Sequence, residues 1–97
     1  MTNQSSDFSF TVNPEVSASM HDTGIVILHT GSGSLYSSNS SGARIWRGIE
    51  QKLPLEAIAG EISYEFQIAG PDARAHVDRF VTALEQRELI QRKTEVQ

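Results

Sequence analysis

The side chains of this sequence that could do chemistry are histidines, serines and carboxylates, and their spacing argues against each. The histidines are His21, His29 and His76. None is followed three or four residues later by another histidine or a carboxylate, the helical spacing that sets two metal ligands on one face. Ser32, Ser34, Ser37, Ser38, Ser40 and Ser41 crowd the middle of the chain. They form no Gly-x-Ser-x-Gly elbow and propose no Ser-His-Asp arrangement by spacing. Turns, helix caps and an edge strand account for them. Gly31-Ser-Gly33 lacks the Lys-Ser/Thr that completes a phosphate loop. Glu61, Glu65, Asp72, Asp78, Glu85 and Glu88 are scattered over helix faces as solvated charges. No nucleophile, base and orienting group come together, so no catalytic, metal or cofactor site is predicted. What remains is recognition. Tyr36 sits on the short strand Ser34 to Ser37, where it either packs on a helix or lines a groove. Arg74, Asp78, Val81 and Glu85 fall at i, i+4, i+7 and i+11, a stripe of mixed charge beside the apolar stripe Val77, Phe80 and Leu84. Such a stripe suits a peptide better than DNA.

Composition sets the frame for these residues. The 97 residues are 38% hydrophobic, enough for one small core and too little for two. The chain has no cysteine, which removes disulfides, thiolate zinc sites and cysteine nucleophiles. Eight basic against twelve acidic residues give a formal charge of -4, opposite in sign to most phosphate-backbone binders. No apolar run approaches the length of a membrane span, and no basic segment followed by an apolar one marks a signal peptide. A cytoplasmic protein is expected, with residues 1–10 as a flexible N-terminus, 11–92 as one domain and 93–97 as a flexible C-terminus.

The elements that must position the recognition residues follow from periodicity. Val16, Ala18 and Met20 alternate like a half-buried strand. Asp22-Thr-Gly24 reads as a turn. Ile25-Val-Ile-Leu28 is a continuous apolar run, as in a strand with most of both faces covered. Thr30 to Ser34 turns the chain into the third strand. Asn39, Ser40 or Ser41 can each cap a first helix that carries Ile45, Trp46 and Ile49. Pro54 opens a second helix with Leu55, Ile58, Ala59 and Ile62. A third, after Gly70-Pro71, carries Val77, Phe80, Val81 and Leu84, and Leu89-Ile90 folds back as a short extended piece. The fold class is therefore α+β: a winged-helix-like domain with a three-stranded antiparallel sheet followed by three helices.

The order and spacing of these pieces resemble the pyrroloquinoline quinone synthesis protein D family of peptide-recognition domains. The resemblance rests on I-V-I-L (25–28), Y-S-S-N (36–39), G-A-R-I-W (42–46), L-P-L-E-A-I (53–58), F-Q-I (66–68), V-D-R-F-V-T-A-L (77–84) and E-L-I (88–90), and runs from Val16 to Ile90. Ser38 stands where the family usually has Leu, and Glu88 where it usually has Gly. The resemblance fits either the quinone-pathway member itself or a relative from another pathway, such as lasso-peptide synthesis.

The resemblance implies a non-catalytic chaperone that holds the leader of a ribosomally made precursor peptide. It also implies a partner enzyme of the same pathway, a radical SAM enzyme or a leader peptidase, to which the leader is presented. The leader is expected as an added strand on the third strand, beside helix three. The edge would be Ser34, Leu35, Tyr36 and Ser37. The helix wall would be Arg74, Asp78, Val81 and Glu85, with Val77 at its base and Arg74 placed to pair with a leader carboxylate. An unpaired edge can also pair with its own copy, so a homodimer is compatible with it. The competing reading is a winged-helix DNA-binding regulator using Arg74, Arg79, Arg87, Arg92 and Lys93. The net charge and the acids interleaved on the same helix count against it. So does a hairpin that precedes the helices instead of following them.

Overall fold

A computed structural model of the chain describes residues 8–94. The element order is β1 (Phe8–Val12), β2 (Val16–His21), β3 (Gly24–His29), β4 (Ser34–Asn39), α1 (Ser40–Glu50), α2 (Leu55–Phe66), α3 (Gly70–Gln86) and β5 (Ile90–Thr94). Strands β2, β3 and β4 form an antiparallel sheet in that order, and the helices follow it. This is the predicted α+β arrangement.

The apolar run of β3 sits at the sheet centre. Ile25 and Ile27 are buried at 2% and 0% exposure, whereas Val26 and Leu28 are only half-buried. One face of the strand is thus covered and the other partly open. The sequence suggested two covered faces, because a continuous apolar run does not reveal that all the helices lie on one side. Under Ile25 and Ile27 lie Ile45, Trp46 and Ile49 of α1, Ile58 and Ile62 of α2, and Val77, Phe80, Val81 and Leu84 of α3. Their recurrence at three and four residues is what makes each segment a helix with one buried face.

The helix ends explain the sharp turns between elements. Asn39 caps α1: its Oδ1 accepts from the Gly42 amide at 3.1 Å and from the Ser41 hydroxyl at 2.9 Å. Of the three candidate caps, Asn39 takes the role because it is the last extended residue before the helix. A Cβ on Gly48 would lie 2.7 Å from Ile58 Cγ1, so glycine there lets α2 press directly on the α1 backbone. Pro54 stands just before α2 in extended conformation, where its missing N–H leaves nothing unpaired. Beyond α3, Glu88 adopts φ 61°, and the Leu89 amide donates to the Leu84 carbonyl at 2.9 Å.

Strand β5 continues from this turn and pairs antiparallel with β1, from Phe8↔Thr94 to Val12↔Ile90. Here the structure differs from the segment boundaries expected above. Residues 8–10, placed in a flexible arm, form part of β1, and Phe10 is 5% exposed within the core. Lys93 and Thr94, placed in a flexible tail, belong to β5. The reason is that β1 finds its partner at the opposite end of the chain, a pairing no local pattern displays. The rest of both arms, residues 1–7 and 95–97, lies outside the described residues.

The turn at Glu88 generates a test. Left-handed backbone costs an ordinary residue about 1–2 kcal/mol, and glycine avoids most of that cost. Glu88→Gly should therefore stabilise the protein by about 1 kcal/mol. Urea unfolding followed by fluorescence of Trp46, the single tryptophan, checks it.

Candidate functional site: the groove between strand β4 and helix α3

The backbone of β4 decides what its edge can offer. The two-residue turn Asp22-Thr23 closes on the cross-strand pair His21↔Gly24. The Thr30 amide donates to the Glu15 carbonyl at 2.8 Å, so Glu15↔Thr30 is a hydrogen-bonded pair and, six residues along the same ladder, His21↔Gly24 is one too. Bonding direction alternates along a strand, so Ile25, Ile27 and His29 turn their N–H and C=O groups toward β4. Their register partners Ser38, Tyr36 and Ser34 are occupied by β3. Leu35 and Ser37 point theirs outward, and among the described residues no strand takes them. Side chains alternate as well. Tyr36 and Ser38 share the core face with Ile27 and Ile25, while Leu35 and Ser37 share the open face with Leu28 and Val26. Leu35 is 68% exposed.

Helix α3 flanks this edge and runs antiparallel to it. At one end the Ser41 hydroxyl lies 2.9 Å from His76 Nε2. In the middle the Tyr36 and Phe80 rings are 6.1 Å apart and tilted by 40°. At the other end the Arg87 guanidinium lies over the Tyr36 ring, 4.6 Å from its centroid. Strand and helix are thus joined by side chains at Tyr36, and the start of α1 meets the helix through Ser41 and His76. A hollow of about 170 Å³, lined by Ser34, Leu35, Tyr36, Arg87 and Leu89, opens at the Arg87 end.

The sequence-predicted site residues divide across this geometry. Ser34, Leu35, Tyr36 and Ser37 lie together on β4, and Tyr36 both packs on α3 and lines the hollow. The helix residues do not join them. Arg74 lines a different concavity with Glu56, Ala59, Gly60, Ser63 and Tyr64 of α2. Asp78 pairs with Arg74 at 3.0 Å, and Glu85 pairs with Arg92 of β5 at 3.2 Å. Val81 is 1% exposed and Val77 is 0% exposed, both inside the core. The stripe Arg74, Asp78, Val81, Glu85 is thus the flank of α3 turned toward α2 and β5. The flank turned toward β4 is His76, Phe80, Ala83 and Arg87, which repeats at the same i, i+4, i+7, i+11 spacing.

Both stripes border the same buried face, and spacing alone does not say which one meets the sheet. The available signal was Tyr36: a tyrosine packed on a helix is favoured by aromatic and cationic neighbours, and Phe80 and Arg87 supply both. Among the described residues no group of three or more His, Cys, Asp or Glu side chains could hold a metal ion. None of their helices is long and apolar enough to cross a membrane.

The chain matches the family model of coenzyme PQQ synthesis protein D over residues 24–90. It belongs to that family. Among solved structures it is similar to one described as TbiB1 in complex with the TbiA(beta) leader peptide. The two are 25% identical with a TM-score of 0.78, covering 87% of this chain and 98% of that one. It is also similar to a lasso peptide synthetase B1 complexed with the leader peptide, at 24% identity and a TM-score of 0.79, covering 86% and 98%. The second likeness concerns the fold alone. No curated protein matches the sequence.

Alternation along β4 makes proline a graded probe. Proline lacks the donor N–H and is tolerated in a sheet where that N–H faces outward. Leu35→Pro and Ser37→Pro should keep the fold. Tyr36→Pro and Ser38→Pro should each cost about 1–3 kcal/mol by leaving a β3 carbonyl unpaired. Circular dichroism and thermal melts of the four variants measure this.

Proposed function

We propose that the protein is a non-catalytic carrier for the leader segment of a ribosomally made precursor peptide. The leader docks as an added strand on β4, between that strand and α3, and is presented to a modifying enzyme of the same pathway, a radical SAM enzyme or a leader peptidase, in the cytoplasm. The observation that carries the reading is the unspent backbone of Leu35 and Ser37, facing a groove whose far wall is a helix. A strand edge of this kind binds main chain by hydrogen bonds and sorts side chains by the pockets beside it. Membership of the family and the likeness to TbiB1, described in complex with a leader peptide, support the same reading. On β4 the contacts are those of Ser34, Leu35, Tyr36 and Ser37. On α3 and its C-cap they are His76, Phe80, Ala83 and Arg87, in place of Arg74, Asp78, Val81 and Glu85.

The test uses a fluorescent leader peptide from the precursor encoded beside this gene, followed by anisotropy, with duplex DNA in a parallel titration. The protein should bind the leader saturably. Ser37→Pro should weaken binding about tenfold, the equivalent of one lost backbone hydrogen bond. Absence of leader binding, together with salt-sensitive binding of DNA, would overturn the proposal in favour of a DNA-binding regulator.

A further inference from the structure

Charge is sorted across α3 in a way the overall charge of -4 conceals. The flank toward α2 and β5 holds Asp78 and Glu85, each already engaged by an arginine. The flank toward β4, from His76 to Arg87, carries no carboxylate, and β4 contributes only uncharged side chains. Arg79 adds a second exposed cation next to that flank. Asp72 lies a turn beyond the His76 end. Glu88 follows Arg87 in sequence but forms no ion pair with it among the described residues. The walls of the groove beside the β4 edge therefore carry an arginine and no carboxylate, although the protein as a whole is acidic.

Arg87 is the centre of this patch. Arg44, Arg74 and Arg92 are held by carboxylates. Arg87 instead stacks on Tyr36, and its side chain makes no hydrogen bond within the described residues. Stacking occupies the flat face of a guanidinium and leaves its rim of N–H donors directed outward, the geometry that takes a carboxylate in a two-point contact. The ring beneath fixes the side chain before any ligand arrives, so less rotamer freedom is lost on binding. The 170 Å³ hollow beside it, bordered by Ser34 and Leu35, gives an acidic side chain room to reach the rim.

We infer that Arg87 is a carboxylate receptor, and that the peptide taken up by the groove carries an aspartate or glutamate at the Arg87 end. This rests on the leader-binding reading and adds the chemical class of the residue selected.

A double-mutant cycle tests it. The same leader peptide is compared with copies in which each Asp or Glu is replaced singly by Asn or Gln, against the wild-type protein, Arg87→Gln and Arg87→Lys. Arg87→Gln should weaken the unmodified leader about tenfold and one neutralised copy less than twofold. Arg87→Lys, which keeps the charge but loses the fork, should fall between. The coupled pair should lose its advantage as salt rises. Equal losses on every peptide would overturn the inference, because Arg87 would then act only by bracing Tyr36. Tight binding of a leader with no acidic residue would overturn it too. If the wild-type protein bound no leader at all, the carrier reading would fail first and take this inference with it. Thermal melts of both Arg87 variants show whether the fold is intact.

Discussion

A sheet of three strands has one central strand, and this protein depends on burying one side of it. Ile25 and Ile27 of β3 need a lid, and the three helices are that lid. Because all of them lie on the same face, neither β2 nor β4 is enclosed, and both sheet edges stay open among the described residues. The β4 edge differs from the β2 edge in what stands next to it. Asn39 ends β4 and starts α1 in a single residue, so the helical layer begins where the strand stops. Helix α3 is then held to the strand through Phe80 and Arg87 on Tyr36, and to the start of α1 through His76 and Ser41. Tyr36 is the hinge of the arrangement. Its ring faces the core side through register with Ile27, and its edge reaches both the apolar and the cationic parts of α3. The groove is thus a by-product of how the core is closed.

The sheet order, the three helices and the edge strand were legible because each is written in local pattern. Turn residues at Asp22-Thr-Gly24 and around Gly31 to Gly33 divide the strands, and apolar residues at three and four mark each helix. What escaped was anything set by tertiary partners. Strand β1 pairs with β5 across nearly the whole chain, so F-S-F-T-V gives no hint of its mate. The wall of the groove escaped for a subtler reason. A helix packed by one face has two flanks, and both stripes of α3 satisfy the same spacing. Mixed charge drew attention to Arg74, Asp78 and Glu85. In the folded protein those charges satisfy one another or β5, and the flank that looks plainer in sequence meets the strand. Charges that find partners within the fold are poor guides to ligands, whereas an arginine that finds only a ring is a better one.

The substitutions that set this chain apart from the usual family pattern have distinct structural meanings. Ser38 lies on the core side of β4, half-buried, and its small side chain sits where a Cβ on Gly42 would collide with it. That close seat brings the start of α1 down on the end of β4. Glu88 occupies a left-handed turn at some energetic cost, but its carbonyl still accepts from Asn13 Nδ2 at 2.8 Å. The turn after α3 is therefore tied to the loop after β1, and the position of Arg87 is fixed from both sides.

The pairing of β1 with β5 has a consequence for architecture at a larger scale. Phe8 and Thr94 are cross-strand partners, so the chain enters and leaves the fold side by side. A fold whose two ends share one doorway can be spliced into a loop of a bigger polypeptide, or tethered at either end, without stretching its interior. The same unit can then stand alone or sit inside a longer chain, with the choice left to whatever joins its ends.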